Sequence, residues 1–237
     1  DWSRGLGDVY KRQIPGTSSS IDILLDEKTE VNDLRPYIDT FRRVKSASEI
    51  QYMQEAASIA SSAHEKAMRN SRPGMGEWEI QAMVEGHFMS SQSQWSFPSI
   101  VGGGDNATVL HYKDNNQVIG SGDLVLVDAG CEVSGYASDI TRTWPVNGRF
   151  SQPQREIYNL VLKAELAGIE ACQPGMPWVS MHEAVCVTIA EGLIELGVLN
   201  CTLEDALGRV AGKPGVFEGQ IRNFFMHGTG HFLGLDV

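Results

Sequence analysis

The 237 residues suffice for one large domain or one and a half, and 42% apolar with 21% charged residues can bury a sizeable core. Nineteen Lys and Arg against thirty Asp and Glu leave a net charge of −11 without a cationic cluster, which excludes phosphate backbones and anionic membrane surfaces as natural partners. No apolar run is long enough for a transmembrane helix and no charged start leads into an apolar secretory stretch, so a cytoplasmic protein acting on small molecules or peptides is expected.

Residues 1–13 (DWSRGLGDVYKRQ) show neither helical nor strand periodicity and read as a non-native, adaptor-derived segment. Residues 14–45, broken by Pro15 and Pro36 and closing on Arg42-Arg43-Val44-Lys45, read as the remnant of a preceding domain plus a linker. Ser46-Ala47-Ser48-Glu49 is a capping box, and Ile50, Met53, Ala57, Ala60, Ala63 and Ala67 behind it predict a helix to Asn70, stopped by Arg72-Pro73-Gly74. A second helix is expected from Glu77 to Met89. Short β-type runs follow at Ser99–Val101, Thr108–Tyr112, Leu124–Asp128 and Ala137–Thr143, separated by Gly and Asn/Asp clusters. Ser151-Gln152-Pro153-Gln154 opens a helix with Ile157, Leu160, Val161, Ala164 and Ile169 on its apolar stripe. Pro177 begins another, through Val185, Ile189, Leu193 and Ile194 to Leu196, with Gly197 as its C-cap. A loop-rich stretch then leads through Phe224-Phe225-Met226 to a histidine segment. Helices and antiparallel-looking strands in separate blocks indicate an α+β architecture. The cysteines Cys131, Cys172, Cys186 and Cys201 stand far apart, without a CxxC pair, and read as reduced core thiols. The chain stops inside the apolar run at Leu235-Asp236-Val237, so the domain over 46–237 reads as incomplete.

Two patterns carry chemistry. Leu124-Val125-Leu126-Val127 is a buried-strand run ending on Asp128; eleven residues later Asp139 opens Asp139-Ile140-Thr141-Arg142-Thr143, with Gly130 and Gly135 bracketing the reversal. A hairpin turning on Val133-Ser134 would set Asp128 directly opposite Asp139, with Cβ atoms roughly 4.5–5.5 Å apart. Carboxylates that close repel unless a proton or a cation lies between them, and a divalent metal turns the conflict into a site. Either aspartate alone reads as a turn or solvent-facing residue. The mirrored pair points to metal.

The second pattern is His227-Gly228-Thr229-Gly230-His231. Each glycine costs a helix about 1 kcal/mol, which disfavours a helical clamp. In extended chain His227, Thr229 and His231 project to one face, and the glycines admit close approach. His64, His87 and His182 fall within helices without acidic company and read as structural, while His111, after the Gly102-Gly103-Gly104-Asp105-Asn106 loop, stays open. Carboxylate oxygens with one imidazole suit Mn²⁺, Co²⁺, Fe²⁺ or Zn²⁺, and Cys131 beside Asp128 reads as packing. The triple glycine lacks the GK[ST] of a nucleotide loop, and no Gly-x-Ser-x-Gly elbow supports a covalent nucleophile.

With these motifs in hand, Val127–Phe150 (VDAGCEVSGYASDITRTWPVNGRF) and Phe224–Val237 (FFMHGTGHFLGLDV) resemble the pita-bread metallopeptidases, and among them the Xaa-Pro aminopeptidases of bacterial type. The similarity runs from Arg43 to Val237. The resemblance implies a pseudo-two-fold pita-bread domain: a curved antiparallel sheet flanked by helices and carrying two divalent metal ions, usually Mn²⁺, with Co²⁺ or Zn²⁺ as alternatives. It implies that Asp128 chelates one metal, Asp139 bridges both, and His231 is the single histidine ligand. His227 and His111 would line the substrate pocket, aligning the peptide and stabilising the developing oxyanion, and Phe97 would be an aromatic pocket residue. Thr141 and Thr143 would support the ligands, and Arg142 would pair structurally. The implied activity is metal-dependent removal of an N-terminal residue preceding proline, by a water activated between the two ions, in a homo-oligomer acting on peptides with proline at the second position. A further histidine and two glutamate ligands of the family fall beyond Val237, so the chain is expected to be an incomplete domain, inactive alone. Alternatives are a prolidase acting on Xaa-Pro dipeptides, a creatinase-like relative without metal, and a non-catalytic pita-bread binding protein; Asp128, Asp139 and His231 argue against the last two.

Overall fold

The computed structural model describes residues 10–13 and 30–237. Tyr10–Gln13 (β1) pairs in parallel with Glu30–Asp33 (β2), although the sequence there lacks strand periodicity. The expectations for 1–9 and 14–29, Pro15 included, lie outside the described residues. Pro36 does not break the chain; it stands in the first turn of α1 (Arg35–Arg43), where a missing N–H costs nothing.

The capping box at Ser46 forms. Its hydroxyl accepts the Glu49 amide at 3.4 Å and the Glu49 carboxylate accepts the Ser46 N–H at 2.6 Å, which starts α2 (Ala47–Asn70). The buried line of α2 is Ala56, Ala60, Ala63 and Ala67. Ile50, expected on that line, is 45% exposed, because the stripe that meets the sheet begins more than a turn later. α3 (Glu77–Ser90) follows and buries Ile80, Val84 and Phe88.

Two three-stranded antiparallel sheets lie against these helices. One has the order β3 (Gln94–Trp95), β6 (Cys131–Val133), β7 (Tyr136–Ala137); the other has β4 (Ile100–Gly103), β5 (Leu124–Ala129), β8 (Ile140–Pro145). Small alanines on α2 admit the helix close to Val101, Val125, Val127, Ala129 and Cys131, and together they form the first core. The strand expected over Thr108–Tyr112 does not form. The chain makes a 3₁₀ turn over Gly104–Thr108; Val109 and Leu110 are exposed, and His111 leaves extended conformation altogether.

α4 (Gln152–Ala171) and α5 (Val179–Glu195) pack as a pair, with α6 (Leu203–Leu207) against α5. Leu160, Ala164, Val185, Ile189, Leu193, Leu207, Phe217 and Ile221 make the second core. Ile157, Val161 and Ile169 do not belong to it. They are 43%, 53% and 62% exposed, since α5 meets the line through Leu160, Ala164 and Gly168 instead. Gly197, at φ +71°, ends α5 as its sequence position suggests. No helix among the described residues is long and apolar enough to cross a membrane.

Candidate metal centre

Burial alternates along β5. Val125, Val127 and Ala129 are buried on the helix side, while Leu124, Leu126 and Asp128 lie half-buried on the other face. Asp128 therefore projects from an apolar strand onto the face away from α2. The chain reverses on Ser134 and Gly135, at φ +53° and +82°, the paired positive values of a tight hairpin turn. That turn sits one residue later than a reversal on Val133-Ser134, and the register follows from it: Val133 pairs with Tyr136, Glu132 with Ala137, Ala129 with Ile140, and Asp128 with Thr141. Asp128 is thus not directly opposite Asp139, as the sequence suggested. The two are diagonal neighbours on one face, a separation that side chains still bridge.

The carboxyl groups do meet. Burial, then the charge of Asp139 and a hydrogen bond with it, push Asp128 up to about 6, while the Thr141 hydroxyl and the charge of His111 pull the other way. Asp128 Oδ1 is buried without a hydrogen-bond partner. Gly130 makes the close approach possible, because a Cβ there would run into the carbonyl oxygen of Ser138. Around this junction Ser138 Oγ accepts the Cys131 amide at 3.0 Å, and Cys131 is buried with Sγ donating to the Ala56 carbonyl at 3.3 Å, a packing role as expected. All four cysteines are free, but Cys172 is exposed at the end of α4 and is no core thiol.

The histidine segment is irregular rather than extended, so its residues do not share one face. Thr229 Oγ1 lies 2.8 Å from His182 Nδ1 on α5, and the His227 ring packs 5.4 Å from that of Phe225. His182 is held below its ordinary value by burial first, with the neighbouring charge of His227 acting in the same direction and Glu183 opposing. His231 turns the other way, with Nε2 3.1 Å from Asp139 Oδ2. His182 was read as structural from its helix; no local pattern announces a contact with Thr229, 47 residues away.

His111 is exposed, at φ +53°, and near enough for its charge to act on Asp128. A non-glycine residue in that region costs of order 1–3 kcal/mol, so its flanks must hold it there. Phe97 is half-buried just before β4, whose Ile100 pairs with Asp128. Thr143 shares the Asp128 face by pairing with Leu126, and Arg142 donates to the Thr141 carbonyl at 2.7 Å and lies 3.9 Å from Glu165.

The donor chemistry fits a divalent cation. His231 Nδ1 lies 2.9 Å from the Phe232 carbonyl, and a carbonyl only accepts, so that nitrogen carries the proton. That leaves Nε2 as the nitrogen that faces the Asp139 carboxylate at 3.1 Å, and Asp139 also meets Asp128. Three Lewis bases in a row need protons or cations between them, and the buried Asp128 Oδ1 has no hydrogen-bond partner among the protein groups. Among the described residues no three His, Cys, Asp or Glu side chains converge closely enough to hold an ion as they stand; Asp139 is the member common to two pairs.

Comparison with known proteins agrees with this architecture. The chain is 44% identical over 210 residues to the Xaa-Pro aminopeptidase of Haemophilus influenzae, covering 88% of this chain and 47% of that protein. It is 40% identical over 206 residues to the Xaa-Pro aminopeptidase of Escherichia coli K12, covering 86% and 45%. The structure of Pseudomonas aeruginosa aminopeptidase PepP superposes with a TM-score of 0.86 at 34% identity, over 98% of this chain and 54% of that one. A zinc-substituted E. coli aminopeptidase P in complex with product gives a TM-score of 0.82 at 38% identity, over 92% and 48%. The chain thus spans about half the length of the relatives it matches, and over that span the fold is the pita-bread fold. The profile described as metallopeptidase family M24 matches residues 51–237, and the chain belongs to that family.

Proposed function

We propose that this chain carries donors of a divalent-metal centre in an enzyme that hydrolyses the peptide bond between an N-terminal residue and a following proline. The observation that carries the reading is Asp139 set between two further Lewis bases, Asp128 and His231 Nε2, with an unpartnered buried oxygen on Asp128. The substrate class comes from the Xaa-Pro aminopeptidases that the chain resembles over most of its length. Asp128 and Asp139 would hold the cations, Asp139 as the bridge, and His231 would ligate through Nε2. Mn²⁺ suits this mixture of carboxylate oxygen and one imidazole, and when bound such ions supply Lewis acidity and activation of water.

The protein's own groups handle the peptide. His111, exposed and near enough for its charge to act on Asp128, would orient a substrate carbonyl and donate to the oxygen as it gains charge, a contribution often of a few kcal/mol. His227 Nδ1 donates to the Gly228 carbonyl at 2.7 Å, which would leave Nε2 as the nitrogen to meet the substrate. Phe97 offers an aromatic wall beside β4 for the proline ring.

Calorimetric titration with Mn²⁺ tests the centre. Binding to the unaltered chain, with protons released below about pH 6 as Asp128 ionises, is expected, and Asp139→Asn is expected to lose at least about tenfold in affinity. Equal affinity in Asp139→Asn would contradict the reading. Three donors without a complete cage are too few for two ions. The 237-residue chain alone is therefore expected to leave an Xaa-Pro peptide intact at saturating Mn²⁺ when the products are followed by chromatography.

A further inference from the structure

Glu77, the first residue of α3, is fully buried and lies outside the Asp128, Asp139 and His231 cluster. Its carboxylate accepts four hydrogen bonds. Oε1 accepts from the Gly103 amide at 2.8 Å and the Asn106 side-chain amide at 3.0 Å; Oε2 accepts from the Tyr112 hydroxyl at 2.9 Å and the Gln117 amide at 3.0 Å. The Glu77 N–H donates to the Gln117 carbonyl at 2.9 Å, and Asn106 Nδ2 also donates to the Tyr112 hydroxyl at 3.0 Å. Every side chain or amide turned to this carboxyl group donates to it, the surroundings that an anion needs when buried.

The helix does not need Glu77 for its cap. Glu79 already provides one, its carboxylate accepting the Gly76 N–H at 2.8 Å. What the Glu77 partners share is the loop they enclose, between Gly103 and Gln117, and that loop carries His111. Buried Asn115 ties the same loop down a second time. Its Oδ1 accepts the Val101 amide at 3.0 Å, and its Nδ2 donates to Gln81 Oε1 at 2.9 Å and the Ser99 carbonyl at 2.8 Å. His111 directly precedes Tyr112 and is held at φ +53°, a conformation its neighbours must impose.

We propose that Glu77 is a positioning residue: through Tyr112, Asn106, Gly103 and Gln117 it fixes His111 in its left-handed conformation beside Asp128. The proposal rests on the reading of His111 as a substrate-facing group. In Glu77→Gln one carboxylate oxygen becomes an NH₂ facing two donors, with nearly unchanged volume.

The test is NMR of the 237-residue chain. A strong cross-peak between the amide proton and Hα of His111 reports its positive φ. In Glu77→Gln this cross-peak is expected to weaken to that of ordinary backbone, with the Gly103 and Gln117 amides exchanging at least about tenfold faster. Glu79→Ala, which removes the neighbouring cap, is expected to lower the melting temperature and leave the His111 cross-peak intact. Should Glu77→Gln fail to fold, Tyr112→Phe, which deletes only the link adjoining His111, is expected to weaken the same cross-peak. An unchanged His111 cross-peak in the folded variant overturns the proposal, as does an equal disturbance in Glu79→Ala. Added Mn²⁺ tests the underlying reading separately: it should broaden the ring signals of His111 and His231 in the unaltered chain. Absence of broadening from both removes the metal reading and leaves the Glu77 result standing.

Discussion

Asp128→Asn is expected to make the metal-free chain more stable at pH 7 and, in the same protein, to abolish stabilisation by Mn²⁺. Unfolded, this carboxyl group ionises near pH 3.9; folded, burial and the charge of Asp139 push it up to about 6. The folded state therefore binds the proton more tightly. Below about pH 4 both states are protonated and the group contributes no penalty; as pH rises from there to about 6 stability falls, and the deficit persists at neutrality. Partial exposure reduces the deficit to about 1–2 kcal/mol. Asparagine carries no charge and its amide can donate to Asp139, so the pH dependence between about 4 and 6 should flatten and stability at pH 7 should rise. With Mn²⁺ at about a hundred times its dissociation constant, the unaltered chain should gain about 2.7 kcal/mol, several degrees of melting temperature. The variant should gain almost nothing. Thermal melts across this pH range, in chelator and in Mn²⁺, read both effects, and a variant less stable than the parent in chelator would contradict the assignment.

Gly130→Ala should be among the most damaging single changes in the fold. The added methyl group meets backbone, the Ser138 carbonyl, which cannot swing away as a side-chain tip can. Relief requires parting the chain at the junction of β5 and β6, in the middle of the first core, at a cost of about 3 kcal/mol or more. Of a total stability of about 5–15 kcal/mol that is a large fraction. The change should also move Asp139 away from Asp128 and return the Asp128 acid toward the ordinary carboxylate range. Urea denaturation measures the first effect, and a loss below about 1 kcal/mol would show that the strands tolerate separation there.

Local signals carried over well into structure where one chain segment decides the outcome. The Ser46 box, the helix between Pro177 and Gly197 and the strand run that ends on Asp128 all depend on residues within a few positions, and each forms, the helix from Val179. Failures arose where a distant partner decides. The stripe of α4 was misassigned at Ile157, Val161 and Ile169, because the side that packs is chosen by α5. Thr108–Tyr112 has strand composition, but Glu77, some thirty residues earlier, captures Asn106 and Tyr112 and pulls the loop off an extended path. Pro36 reads as a breaker in sequence because proline at a helix start and proline in a linker look alike without the following turn.

The site shows the same division. Asp128 and Asp139 are legible as a pair because any two-residue turn between them leaves both on one face, wherever along the segment it falls. Their offset rests on the turn residue beside Ser134: Gly135 takes φ +82° freely, whereas β-branched Val133 resists a positive φ, so the reversal falls one residue later. For His227, Thr229 and His231 the two-residue period failed, because the segment follows contacts to His182 and Asp139 rather than a strand.

The most direct measurement is an anomalous difference map from crystals of the chain soaked in Mn²⁺. A peak within coordination distance of both the Asp128 and Asp139 carboxyl groups, with His231 Nε2 turned toward it, is the predicted result. A peak elsewhere, or none while the two carboxyl groups remain side by side and share a proton, would contradict the account.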